Sequence, residues 1–415
     1  MRPTRAVARA LLCALAALPL AAPAQDLLIR NARVHTATER GTLERADVLV
    51  RNGRIAAVGS GLAAAGATVV DANGRALTPG LFGGITALGV AEVSLERSTV
   101  DNDPRAAEQN AAAEPRPEFD VTLSFNPDSA VIGVNRVEGI TYAMIAPGAV
   151  AGDTVVAGQG AVARLDGRAD ATLAASRTLF ASLNAGTSRA GQFMLLEQAV
   201  REAKPTPQMR DTDFRLLTPT GREVLARYLA GGRIAFSVDR ATDIRQVLAF
   251  TQRHGARPIV VGGAQAWQVA GALAQANVPV ILDPLVDLPD SFDQIGATLE
   301  NAARLHRAGV RVAFTNFNDG THNARKVRQA AGVAVAHGLP WEAALAALTA
   351  NPAEIFGLGG QYGRIAPGYV ADLVLWSGDP LEVTSVAEQV WIDGRAQSMR
   401  SRQTELRDRY RPGGP

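Results

Sequence analysis

The chain has 415 residues, 47% hydrophobic and 20% charged, which is enough for one large domain plus a smaller one and excludes a small stapled scaffold. The formal net charge is +2, but setting aside Arg2, Arg5 and Arg9 leaves 39 basic residues against 40 acidic ones. No basic run or basic–aromatic alternation remains, so no nucleic-acid partner is expected.

Residues 1–24 read as an export signal. Arg2, Arg5 and Arg9 form a positive start, Ala10 to Leu20 is an apolar stretch too short to span a bilayer, and Ala22-Pro23-Ala24 is an A-x-A cleavage site. Cys13, the single cysteine, lies inside the apolar stretch. No lipid anchor, membrane anchor, disulfide or thiolate chemistry is therefore expected of the mature chain, and its expected location is periplasmic or secreted.

Short strands follow. Val48-Leu49-Val50-Arg51 and Arg54-Ile55-Ala56-Ala57-Val58 flank Asn52-Gly53, the sequence signature of a type I′ hairpin, which needs positive φ at both central residues. Val69-Val70-Asp71 continues the pattern, and Ala371 to Trp376 and Gln389 to Arg395 repeat it near the other end. Strands at both ends around a long middle predict one small β-sandwich domain built from the two termini, 26–78 with 357–415.

The middle, 79–356, alternates. Strand-like runs at Ile140–Ala146, Val155–Leu165, Ile234–Asp239, Pro258–Gly262, Val278–Leu282 and Val310–Thr315 are interleaved with helical stretches at Ile244–His254, Gln265–Gln275, Phe292–Arg307 and Ala324–His337. Such units predict right-handed βαβ crossovers in an α/β protein, here a TIM-type (β/α)8 barrel, regular or distorted. Asp101–Glu118, rich in Ala, Pro and charge, reads as a long surface loop. Gly191–Gly232 reads as two helical stretches separated by Lys204-Pro205-Thr206-Pro207. The pair Gly158-x-Gly160 reads as a turn rather than a phosphate cradle.

Several stretches resemble the amidohydrolase superfamily, specifically its imidazolonepropionase-like branch. They are Leu28-Ile29-Arg30-Asn31-Ala32-Arg33-Val34, Val50 to Gly59, Val70 to Phe82, Ala347 to Ala353 and Gly363 to Val374. The resemblance covers both ends of the chain in order. It implies a barrel, hydrolysis of non-peptide C–N or cyclic amide bonds, and zinc or another divalent metal as cofactor.

The chemistry departs from that pattern. The family continues Pro-Gly-Leu into Asp-x-His-x-His, whose two imidazoles share a strand face and hold one ion. Here Pro79-Gly80-Leu81-Phe82 continues as Gly83-Gly84-Ile85-Thr86-Ala87, so Ile85 and Ala87 stand at the His positions. By the same resemblance Ser237, Gly262 and Asn316 stand where the fifth-, sixth- and eighth-strand ligands belong. Neither Lys204, in a Pro-rich loop, nor Lys326, in a helix, is placed to bridge metals. The expectation is a protein with no cofactor: a binding subunit, or the partner of an active amidohydrolase paralogue, with a small molecule in the barrel mouth. The alternative is an active C–N hydrolase with a rearranged site. In a barrel, sites gather at the C-terminal strand ends. That rule nominates Asn126, Ser237, Asp239, Asn316, Asp319 and His322, with Asp239 or Asp319 and His322 as a candidate acid–base pair. The competing structural role for Asp319-Gly320 is turn chemistry, and Ser237 lacks a nucleophile elbow.

Overall fold

A computed structural model describes residues 26–103, 114–148, 154–184, 188–204, 215–317 and 321–411. The export signal read at residues 1–24 lies outside the described residues.

The two termini build one β domain. From the N-terminal side come β1 (Leu27–His35), β2 (Thr42–Arg51), β3 (Arg54–Gly59), β4 (Thr68–Asp71) and β5 (Ala76–Pro79); from the C-terminal side come β14 (Leu373–Trp376), β15 (Ala387–Ile392) and β16 (Arg395–Ala396). Their ladder is continuous in the order β16-β15-β14-β5-β1-β2-β3, with β4 also on β1. The join is the antiparallel pair β5–β14, where Leu77 faces Leu375 and Pro79 faces Leu373. Ile29, Val34, Val48, Val50, Leu77, Leu373 and Trp391 close a common core.

Asn52-Gly53 forms the expected turn, with φ of 49° and 77°. Asp393-Gly394 forms a second, with φ of 52° and 70°. The two turns meet at Ala371, whose N–H donates to Gly53 O (2.8 Å) and whose carbonyl accepts from Gly394 N (3.0 Å). Gly53 admits no side chain there, because a Cβ would sit 2.6 Å from Asp393 Oδ1.

Residues between form a nearly closed eight-stranded barrel: β6 (Leu81–Thr86), β7 (Ile140–Ile145), β8 (Val156–Arg164), β9 (Thr172–Ser182), β10 (Arg233–Val238), β11 (Arg257–Gly262), β12 (Val280–Leu282) and β13 (Val312–Phe314), neighbours in chain order. The expectation of parallel βαβ units holds for β9 through β13 and for β6–β7. It fails at β8, which is antiparallel to both β7 and β9. Only short connections separate these three strands, and an antiparallel pair needs no crossover helix where a parallel pair does. Gly158 and Gly160 lie inside β8: a Cβ on Gly160 would come 2.1 Å from Ile145 O, so the pair serves close strand packing, not a turn.

Two apolar layers follow from strand alternation. Phe82, Ile85, Tyr142, Met144, Phe180, Ala235, Val261, Ile281 and Ala313 fill the barrel interior, and Phe356 and Tyr362 pack against this cluster. Leu81, Ile145, Leu179, Phe236, Val260, Leu282 and Phe314 face the helices, among them Ala241–His254 and Val327–Ala336. The seam between β6 and β13 lacks a ladder. Instead Ile85 N donates to Thr315 Oγ1 at 3.0 Å. Gly84 (φ +86°) permits this approach, since a Cβ would lie 2.6 Å from Thr315 Oγ1.

Candidate functional site

Residues at the mouth are set by the same period of two. Ala235 faces the barrel interior, so Ser237 and Asp239 follow on that side; Ile281 does, so Asp283 follows. With Asn184, Gly262, Asn301 and Phe317 they line a cavity of about 230 Å³. Neither Asn126 nor His322 belongs to the cavity lining. Asn126 is exposed and its Oδ1 accepts from Asp128 N at 3.0 Å, a local turn. His322 is exposed as well, with Nδ1 3.5 Å from Thr321 Oγ1. The structure thus does not bring His322 to Asp239, and Asp319 lies outside the described residues.

Asp239 is 9% exposed. Its Oδ1 accepts from Ala264 N (3.1 Å) and its Oδ2 from Gln294 Nε2 (3.2 Å). Burial pushes its carboxyl above the usual carboxylate range, against the pull of those hydrogen bonds. Asp283 is 5% exposed and behaves alike. Its Oδ1 accepts from Leu285 N (3.0 Å) and its Oδ2 from Phe317 N (3.2 Å), and burial again raises the carboxyl. Sequence reasoning missed Asp283. The available signal was the alternation of Val280-Ile281-Leu282 carried one residue further.

The positions that the family resemblance marked as replaced ligands fall as follows. Ile85 packs in the barrel interior, whereas Ala87, just past β6, packs against the outer layer. β6 ends at Thr86, so strand alternation no longer governs Ala87; the extra residue of the β-bulge at Gly83-Gly84, where Phe82 pairs with Tyr142 but Ile85 with Met144, instead puts Phe82 and Ile85 on the same inner face. Ser237, next to last in β10, lies beside Asn184, whose Nδ2 is 3.5 Å from its Oγ. Gly262 has φ +92°, and a Cβ there would meet Asp239 Oδ1 at 2.8 Å. Asn316 is buried after β13 and its Nδ2 donates to Asn323 O at 3.3 Å.

The residues present do not fit the family's metal. None of these five positions carries an imidazole or carboxylate. Among the described residues no group of three or more His, Cys, Asp or Glu side chains is arranged to hold an ion. The histidines are scattered. His35 stacks on Trp341 with ring centres 4.6 Å apart, and burial lowers its imidazole to about 4. His254 lies 3.1 Å from Glu197 Oε2 at a helix C-terminus. His306 and His337 are exposed.

A composite β domain on a nearly closed barrel with its cavity at the strand C-termini is the architecture of the amidohydrolases. A solved amidohydrolase of Thermotoga maritima MSB8 superposes with a TM-score of 0.77 at 26% identity, covering 90% of this chain and all of that one. The Amidohydrolase family model matches residues 240–397. The amidohydrolase tasK of Hapsidospora irregularis is 47% identical over 75 residues, 18% of this chain and 8% of its own length. The imidazolonepropionase of Chromobacterium violaceum is 37% identical over 108 residues, 25% of each chain. The matches thus span a quarter or less of these two curated relatives. Together these findings support placing the chain in the amidohydrolase superfamily, with its local sequence likeness to the imidazolonepropionase-like branch.

Proposed function

We propose that this chain is a metal-free member of the superfamily that binds a small molecule at the barrel mouth instead of hydrolysing one by the metal-dependent route. The observation that carries this is the donor set: a retained barrel and mouth cavity beside Ile85, Ala87, Ser237, Gly262 and Asn316. The export-signal pattern read in residues 1–24 of the sequence is the ground for proposing a periplasmic or secreted setting. An active amidohydrolase paralogue is the proposed partner, because a fold kept without its ligands retains its surfaces. Elemental analysis of the purified protein is expected to find zinc well below one ion per chain; about one ion retained after mild dialysis would sink the proposal. Co-expression with a paralogue that keeps Asp-x-His-x-His is expected to give a complex on gel filtration.

A second reading keeps catalysis. Asp239 and Asp283 line one cavity, and burial raises both carboxyls, the direction that suits a general acid. Turnover of a cyclic amide in the presence of a chelator, lost in Asp283→Asn, would favour it over pure binding.

A further inference from the structure

We propose that the mouth cavity accepts an organic cation, a small molecule carrying a protonated amine or amidine, with Asp239 and Asp283 as its counter-charges. This rests on the binding function proposed above and names the class of ligand.

The lining holds three acidic side chains, Asp239, Asp283 and Asp290, and no Arg, Lys or His is among the lining residues described; its side-chain donors are the neutral amides of Asn184, Gln294 and Asn301 and the Ser237 hydroxyl. Nearby guanidiniums are committed elsewhere: Arg189 pairs with Asp243 (3.0 Å) and Asp293, and Arg240 with the same two aspartates (3.6 and 3.8 Å). Neither Asp239 nor Asp283 forms an ion pair with a described residue; each is held by N–H groups of loop backbone or a glutamine. Burying two carboxylates without counter-charge is unfavourable, and a bound cation relieves it.

Asn301 supplies an independent sign. It is 7% exposed and lines the same cavity. Its Nδ2 donates to Gly263 O at 2.9 Å, but its Oδ1 is buried with no hydrogen-bond partner. Buried acceptors of this kind are ordinarily satisfied, and an N–H-bearing ligand would satisfy this one. Val286 and the half-exposed Phe317 give the cavity apolar surface. At about 230 Å³ the space equals roughly eight water volumes, the scale of a single ring with a charged substituent. A divalent ion suits it less well. Each oxygen of Asp239 and Asp283 already accepts an N–H, and the third carboxylate, Asp290, is exposed.

Calorimetric titration of the purified protein tests this with benzamidine, its neutral analogue benzamide, benzoate, and Zn²⁺ or Ca²⁺ alone. Benzamidine is expected to bind at least tenfold tighter than benzamide, and Asp239→Asn and Asp283→Asn each to weaken it at least tenfold. Asp290→Asn, at an exposed position, should weaken it about two- to threefold without disturbing the fold, and added salt should weaken it in the parent. These two readouts stand even if the buried variants fail to fold. Benzamide or benzoate binding as tightly as benzamidine would overturn the choice of a cation while leaving a small-molecule site in place. Competition by either metal ion against benzamidine at equal or lower concentration would overturn it in favour of a metal. If none of the probes binds to well-folded protein, both the cation and the binding function fall.

Discussion

Asp372 is 5% exposed, with Oδ1 accepting Asp393 N at 2.8 Å and Oδ2 without a partner. Burial pushes its carboxyl from 3.8 up to about 7. A raised carboxyl favours the folded state while protonated, so its contribution is fully present below pH 3.8 and is lost as pH rises through about 7. Denaturant titrations of the parent across that window should therefore show a decline that Asp372→Asn lacks. Parallel curves for the two would refute it. Two glycine and apolar positions carry a second expectation. Gly262→His puts a side chain against Asp239 Oδ1 at a left-handed φ, at a cost of about 2 kcal/mol. Ile85→His buries an imidazole without a partner among apolar neighbours, at a cost of about 1–3 kcal/mol. Because Ile85 packs in the barrel interior and Ala87, past the end of β6, against the outer layer, and because Ser237, Gly262 and Asn316 supply no imidazole or carboxylate, the Ile85→His/Ala87→His double variant should not bind zinc; sub-micromolar affinity in a zinc titration would show that other ligands persist. The site itself was half legible. Ser237 and Asp239 could be placed from the end of a β-branched, aromatic-containing strand. Asp283 escaped because Asp283-Pro284 looks like turn chemistry and the family's ligand pattern draws no attention to the seventh strand.

At the scale of elements, apolar runs announced β10 through β13 to within two residues, since each is bounded by turn-forming residues and followed by a helical stretch. β9 gave no such signal. Its sequence, Thr172-Leu173-Ala174-Ala175-Ser176-Arg177-Thr178-Leu179-Phe180-Ala181-Ser182, is short of β-branched residues and carries a charge. Pairing on both edges, with β8 and β10, overrides that weak propensity. The helix expected over Phe292–Arg307 breaks into a short turn and Asn301–Arg307. Gly296 lies in the break, where its carbonyl accepts Trp267 Nε1 at 2.8 Å and a Cβ would meet Gln268 Nε2 at 2.5 Å. The β6–β13 seam is the element contact most open to test. Gly84→Ala adds a methyl 2.6 Å from Thr315 Oγ1 at φ +86°, and should cost about 2 kcal/mol or more. Thr315→Val keeps the volume but strands Ile85 N, at a cost of about 1–3 kcal/mol. Thermal unfolding of both variants near the parent would mean that the seam is held elsewhere.

For the whole molecule, the β domain needs both ends of the chain. Ending the protein after Leu358 removes β14, β15 and β16 and uncovers the edge of β5 as well as the buried faces of Leu77 and Ile29. The product is expected to be insoluble; a soluble truncation that unfolds cooperatively would show that the N-terminal strands stand alone. The pairing of Pro79 with Leu373 also fixes an order in time. A ribosome adding about 5–20 residues per second needs tens of seconds to travel from β5 to β14. For all of that interval the first sheet to be made is the one that cannot be finished, and its open edge waits while every barrel strand is completed. Folding of the first-synthesised domain is thereby deferred to the end of synthesis, which makes the nascent chain a substrate for holding chaperones and gives refolding the slow final phase of a high-contact-order closure.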